Sequence, residues 1–178
     1  MEKRIALEGP HLWTRELARE MRKPVMQLLE ELAAGDTLVI DLAAVEVFDY
    51  SFANEFFGKT LLSVAAEYAG RFVIVENLST YTRENLTKAM ESLGLIILER
   101  KGGRLTLLGK VHQADEETFS AIRKLDHAVS AMTLSKQLGI NLTAVNERLT
   151  KLGKLGLVNR QRSVSKAGRE QYEYTAPR

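Results

Sequence analysis

Asp41 and Asp49 flank a short apolar turn and could act as a paired acid and base, but the sequence supplies no base or metal partner beside them. They read instead as loop and cap residues. His11, His112 and His127 lie far apart and make no zinc-ligand spacing. Cysteine is absent, which removes thiolate metal sites, disulfides and a cysteine nucleophile, and with them the main reason to expect an oxidising compartment. No nucleophile elbow, phosphate-binding loop or dinucleotide fingerprint occurs. We expect no enzyme, no metal and no cofactor. What remains is charge. From Lys110 onward there are twelve Lys/Arg against seven Asp/Glu, whereas the first 109 residues hold thirteen against sixteen. A basic C-terminal part joined to an acidic N-terminal part points to two tasks, one of them nucleic-acid contact.

These side chains must be positioned by elements that the apolar periodicity outlines. Arg4–Leu7 reads as a short strand closed by Gly9-Pro10. From Thr14 the spacing of Leu17, Met21, Val25, Leu28, Leu29 and Leu32 predicts an amphipathic helix, with Pro24 kinking it or starting a second one. Thr37–Leu42 and Phe72–Val75 are compact apolar runs of the kind found in buried parallel strands. Between them Ser51 is placed to cap a helix running to about Tyr68, and Thr82 to Leu93 forms another helix ending at Gly94. Residues 95–98 and 104–108 flank Gly102-Gly103 as a hairpin. This order predicts an α/β sheet with helical crossovers. Beyond Lys110 the strand pattern stops, and helices are expected over Asp115 to about Ala128, Ser130 to Leu138 and Asn141 to about Lys154. The expected division is therefore 1–110 and 111–178. No apolar run approaches the ~20 residues of a membrane helix, and the Met-Glu-Lys-Arg start lacks a signal-peptide core, so a cytoplasmic location is expected.

In the C-terminal part, Leu134 and Leu138 share one side of a short helix, Gly139 permits a turn, and Asn141 caps the next helix. Val145, Leu149 and Leu152 bury that helix's inner face. Gly156 ends it and Leu157-Val158 opens a strand, giving helix-turn-helix followed by a β-element. The run from Leu134 to Val158 resembles the winged-helix domains of MarR-type and ArsR-type repressors, a likeness that spans roughly Asp115 to Tyr174. It implies a third helix laid in the major groove, with Asn141, Leu142, Thr143, Asn146, Arg148 and Lys151 facing outward. It also implies a basic wing whose Arg160, Arg162, Lys166 and Arg169 meet phosphates. Leu142, Ala144 and Glu147 depart from the polar, basic helix of a strong base reader.

The segment from Val39 to Gly58 resembles the STAS-like domain family, distant relatives of anti-sigma-factor antagonists: a buried strand ending in Asp, an apolar turn, then Ser before Phe-Ala-Asn-Glu-Phe. The upstream Trp13–Ala18 stretch shares the likeness, which covers most of residues 10 to 100. It implies that Ser51 stands where antagonists carry a kinase-modified serine; the other reading of Ser51 is a helix N-cap. Asp-Tyr-Ser-Phe replaces the antagonists' usual Asp-Ser-Ser-Gly, and Asn54 replaces a common Asp. Phe52, Phe56 and Phe57 read as core.

Together these readings predict a STAS-like α/β domain followed by a mainly α winged helix-turn-helix domain. The corresponding function is a DNA-binding transcriptional regulator, a homodimer on double-stranded DNA, whose STAS-like domain senses a protein or ligand. The alternative is a partner-switching adaptor of a histidine-kinase-type ATPase that never touches DNA. A third reading makes Asp41 and Asp49 the acids of an enzyme.

Overall fold

The structure, a computed structural model, describes residues 1–165 and 167–178. The chain opens with β1 (Glu2–Ala6) and the two-residue β2 (His11–Leu12), then α1 (Arg15–Glu31), β3 (Thr37–Asp41) and the short β4 (Val47–Phe48). A single helical rod follows, made of α2 (Tyr50–Ala53), a π-helical turn (Asn54–Gly58) and α3 (Lys59–Glu67). After it come β5 (Phe72–Glu76), α4 (Thr80–Leu93) and the hairpin of β6 (Ile96–Lys101) and β7 (Arg104–Gly109). The five-stranded sheet runs β1-β3-β5-β6-β7; the first four strands are parallel and β7 is antiparallel. This is a mixed α/β architecture dominated by parallel pairing. Lys101 pairs with Arg104, leaving Gly102 and Gly103 as the two-residue turn at φ 56° and 77°, backbone that glycine adopts freely.

The remainder is α5 (Gln113–Arg123), β8 (Val129–Ser130), α6 (Ala131–Leu138), α7 (Leu142–Lys154), β9 (Asn159–Val164) and β10 (Glu170–Thr175). Three helices are followed by a hairpin, and β10 lies between β9 and β8 in an antiparallel sheet. The helix expected to reach about Ala128 stops at Arg123, because Val129 and Ser130 pair with Tyr174 and Glu173 as β8. Ser130 then caps α6 by accepting from the Thr133 N–H.

The parallel strands alternate between two cores. Leu38, Ile40, Val73, Val75 and Ile97 face α1, the helical rod and α4. Val39, Ile74, Ile96 and Leu98 face the other way and share a cluster with Phe119, Ile122, Leu149, Leu152, Leu157 and Tyr174. The C-terminal helices therefore cover the sheet face that α1 to α4 leave open. Burying both faces is what makes these strands continuous apolar runs, each large side chain contributing about 1.5–3 kcal/mol.

Of the two alternatives for Pro24, a second helix does not start there: α1 runs through it as one helix. Pro24 and Glu20, whose carbonyl loses its partner there, are both exposed, so water can satisfy the carbonyl. Ser51 does not cap the helical rod. Asp49 does, accepting from the Phe52 N–H at 2.7 Å, which places Ser51 inside the first turn.

Where the two cores meet the solvent, the chain segments interlock. The Gly35 N–H donates to the Gly70 carbonyl at 2.7 Å, and the buried Asn159 side chain lies against both glycines. A Cβ at Gly70, whose φ is +84°, would run into the Asn159 carboxamide. Gly70→Ala should therefore cost more than the roughly 1–2 kcal/mol of left-handed backbone alone, measured by urea unfolding. Amide exchange in β9 should quicken, and adding Asn159→Ala should restore only the steric share.

Candidate nucleic-acid interface

α6 and α7 are joined by a three-residue turn fixed from both sides. Gly139 takes the left-handed conformation at φ 67°, the Ser135 hydroxyl donates to the Ile140 carbonyl at 2.6 Å, and the Asn141 side chain accepts from the Ala144 N–H at 2.8 Å. Val145, Leu149 and Leu152 are fully buried against α5 and α6. The opposite side of α7 presents Thr143, Asn146, Glu147, Thr150 and Lys154 to solvent.

Of the residues expected to face outward, the structure places Thr143 and Asn146 there, and leaves Asn141 exposed with its side-chain oxygen used as the cap. Leu142 is half-buried. Arg148 is half-buried, whereas Lys151 is exposed beside Glu147, Thr150 and Lys154. Arg148 donates to the Ala114 carbonyl at 3.2 Å and to the Thr118 hydroxyl at 3.3 Å, and Lys151 pairs with the buried Asp115 carboxylate. Both tie α7 to α5. Helical geometry gives the reason: at 3.6 residues per turn Arg148 sits only ~40° around α7 from Leu152 but ~140° from Thr143. The same wheel puts Thr150 and Lys154 on the outward stripe, two residues the sequence reading passed over.

The hairpin continues the basic surface. Arg160 and Arg162 project from one face of β9, opposite Tyr174 and Tyr172 of β10, and the Arg160 guanidinium lies 4.3 Å over the Tyr172 ring. Both arginines are exposed. Arg169 is exposed beyond the strand, in a turn where its carbonyl accepts from the Ser165 N–H at 2.8 Å. Lys166, the remaining expected phosphate contact, lies outside the described residues.

The N-terminal candidates have other tasks. Asp41 ends β3, accepting from Asn77 at 2.7 Å, the Ala43 N–H at 3.0 Å and Arg4 at 3.3 Å. The Asn77 hydrogen bond, then the Ala43 N–H and Arg4, hold its carboxyl below the usual aspartate range despite the opposing effect of burial. Asp49 is the helix cap. Ser51 is half-buried, while neighbouring Tyr50 is exposed and shares a 3.0 Å hydrogen bond with Ser92. Thr14, the cap of α1, holds φ 74°, rare for a β-branched residue, beside the exposed Trp13, which stacks with His11 at 6.1 Å between ring centroids. Phe48, Phe52, Phe56 and Phe57 pack together in the core. Among the described residues no group of three or more His, Asp or Glu side chains is placed to hold a metal ion, and no helix is long and apolar enough to cross a membrane.

Residues 24–82 match the family described as STAS-like domain of unknown function (DUF4325). None of the curated proteins is significantly similar to this chain. Among solved structures, one described as a possible transcriptional regulator from Methanosarcina mazei Go1 is 20% identical, with a TM-score of 0.35 over 38% of this chain. The chain spans 57% of the length of that structure.

Two outcomes follow from the contacts. Lys151→Ala strips a buried carboxylate of its ion partner and should cost about 1–3 kcal/mol in urea unfolding, whereas Lys154→Ala should stay within about 0.5 kcal/mol of the parent. The depressed Asp41 carboxyl contributes stability above the unfolded aspartate value of about 4, and that stability is lost as pH falls through the lower folded value. Asp41→Asn should therefore be less stable than the parent at neutral pH, and the gap in melting temperature should close in strong acid.

Proposed function

We propose that the chain is a DNA-binding transcriptional regulator. Residues 111–178 form a winged helix-turn-helix unit for double-stranded DNA, and residues 1–110 form a STAS-like unit that receives a protein or ligand signal. The observation that carries this reading is the pair Arg160 and Arg162. They stand side by side on one face of β9, without a carboxylate partner among the described residues, on a hairpin that directly follows the outward polar stripe of α7. In this reading Thr143 and Asn146, near the start of α7, meet base edges, where an Asn carboxamide matches adenine. Lys154, Arg160, Arg162 and Arg169 meet phosphates, and Lys166 belongs with them by its place in the basic run. Arg148 and Lys151 act as struts between α7 and α5 rather than as base readers. Operator half-sites repeat about one helical turn (~34 Å) apart, so the active species is a homodimer. The protein works in the cytoplasm and catalyses no reaction.

A second reading is supported by the exposed Trp13 and Tyr50, 45% and 46% accessible, near Ser51. Large aromatics on a surface suit a protein partner, and a histidine-kinase-type ATPase is the partner that the STAS likeness suggests. In that reading the chain is an adaptor and DNA is not its ligand.

Binding to random-sequence duplex DNA across a salt series separates the two. Regulator behaviour is tight binding at low salt with a steep negative slope of log K against log[salt]. Arg160→Ala and Arg162→Ala should each flatten that slope by about 1. Asn146→Ala should leave the slope unchanged and lower selectivity by about 1–3 kcal/mol once a preferred site has been selected. Absence of binding at every salt concentration rejects the regulator reading in favour of the adaptor.

A further inference from the structure

A cavity of about 450 Å³ lies between the C-terminal end of α3 and the junction of α7 with β9. Its floor is small and apolar, formed by Ala65, Ala69 and Gly153, and its polar side is formed by Lys154, Arg160 and Tyr174. That size is within the range of small-molecule sites, which combine an apolar lining with a few polar groups.

Three features of the polar side bear on what would fill it. Tyr174 is 7% exposed as a residue, its ring packed in the core, and its hydroxyl is free to donate at the cavity. Burial raises its pKa, so the hydroxyl stays protonated and available as a donor. Neither Lys154 nor Arg160 meets a carboxylate among the described residues. The Tyr172 ring supports the face of the Arg160 guanidinium and leaves its N–H edge for a planar acceptor. Two cations line the cavity beside Thr150, Asn159 and Tyr174, and no carboxylate is among its lining residues.

We propose that this cavity binds a small organic carboxylate, its carboxylate held by Arg160, Lys154 and the Tyr174 hydroxyl and its flat apolar body lying on the alanine and glycine floor. Arg160 also belongs to the phosphate row of the wing, so an occupied cavity withdraws one cation from DNA. This second step rests on the DNA-binding reading; the first does not.

The test begins without DNA. Benzoate, hexanoate and the neutral benzamide are titrated into the full chain and followed by amide NMR shifts and calorimetry. Saturable benzoate or hexanoate binding at or below about 10 mM is expected, with shifts at residues 65, 69, 153 and 174, and benzamide should bind roughly tenfold more weakly. Arg160→Gln should weaken carboxylate binding roughly tenfold. Tyr174→Phe, which keeps the ring in the core, should weaken it severalfold. Failure of both carboxylates to bind, equal binding of benzamide, or carboxylate affinity unchanged in Arg160→Gln and Tyr174→Phe overturns the site. A saturating carboxylate should then weaken DNA binding and flatten its salt slope by about 1. Carboxylate binding in a chain that ignores DNA rejects the regulator reading and leaves the cavity site standing. Carboxylate binding that leaves DNA affinity unchanged overturns the coupling alone.

Discussion

The burial of the second sheet face under the C-terminal helices is the constraint on which the rest of the molecule depends. Val39, Ile74, Ile96 and Leu98 are too apolar to face water, and they are covered by Phe119, Ile122, Leu152, Leu157 and Tyr174 rather than by crossover helices. All three parallel crossovers fall on the other face, where α1, the helical rod and α4 pack. The sheet is therefore shared between two cores, one built from the first 109 residues alone and one built jointly. A change in the packing of the C-terminal part is a change in the environment of β3, β5 and β6, and the reverse also holds.

Polar contacts reinforce that arrangement at its margins. The exposed carboxyl ends of the parallel strands carry an ion-pair cluster in which Glu76 takes Arg4 at 2.6 Å and Arg100 at 2.9 Å, while Asp41 takes Arg4 and Asn77. At the opposite margin Gly70, Gly35 and Asn159 meet, and a side chain at Gly70 would run into the Asn159 carboxamide. Within the C-terminal part, Arg148 and Lys151 hold α5 and α7 together, which fixes the angle at which the outward stripe of α7 is presented. Two cations of that helix thus serve its orientation.

Strand positions were legible in the sequence because burial on both faces leaves long β-branched runs, and the Gly102-Gly103 turn was legible because two consecutive positive φ values call for glycine. The Asn141 cap and the Val145, Leu149, Leu152 stripe were equally plain. What covers the second sheet face was not, since periodicity records that a side is buried and never by what. β8 was missed because its two residues pair only with the distant Tyr174 and Glu173. Asp49 and Ser51 are both good caps two residues apart, and packing of Phe52 and Phe56 into the core decides for Asp49. The turn of Arg148 toward α5 follows from the helical wheel, whose angle places it beside Leu152. The outward Lys154 was available from the same construction.

The rod from Tyr50 to Glu67 relates the two candidate surfaces physically. It spans eighteen residues and therefore roughly 27 Å, from the exposed Tyr50 and half-buried Ser51 at one end to Val64 at the other, which lies under Gly156 at the close of α7. Its π-helical turn is buried, with Glu55 only 8% exposed and paired with Arg19 at 3.3 Å, and a Cβ at Gly58 would require the Leu93 side chain to shift. A π turn is locally underwound relative to the flanking α-helical turns, and such turns inside α-helices are uncommon. The rod's far end meets the α7–β9 turn, where Ala65 of the rod and Ala69 just beyond it line the Arg160 cavity. The rod, the cavity and the β9–β10 hairpin meet at that turn, so a substitution that alters packing there alters the surroundings of all three.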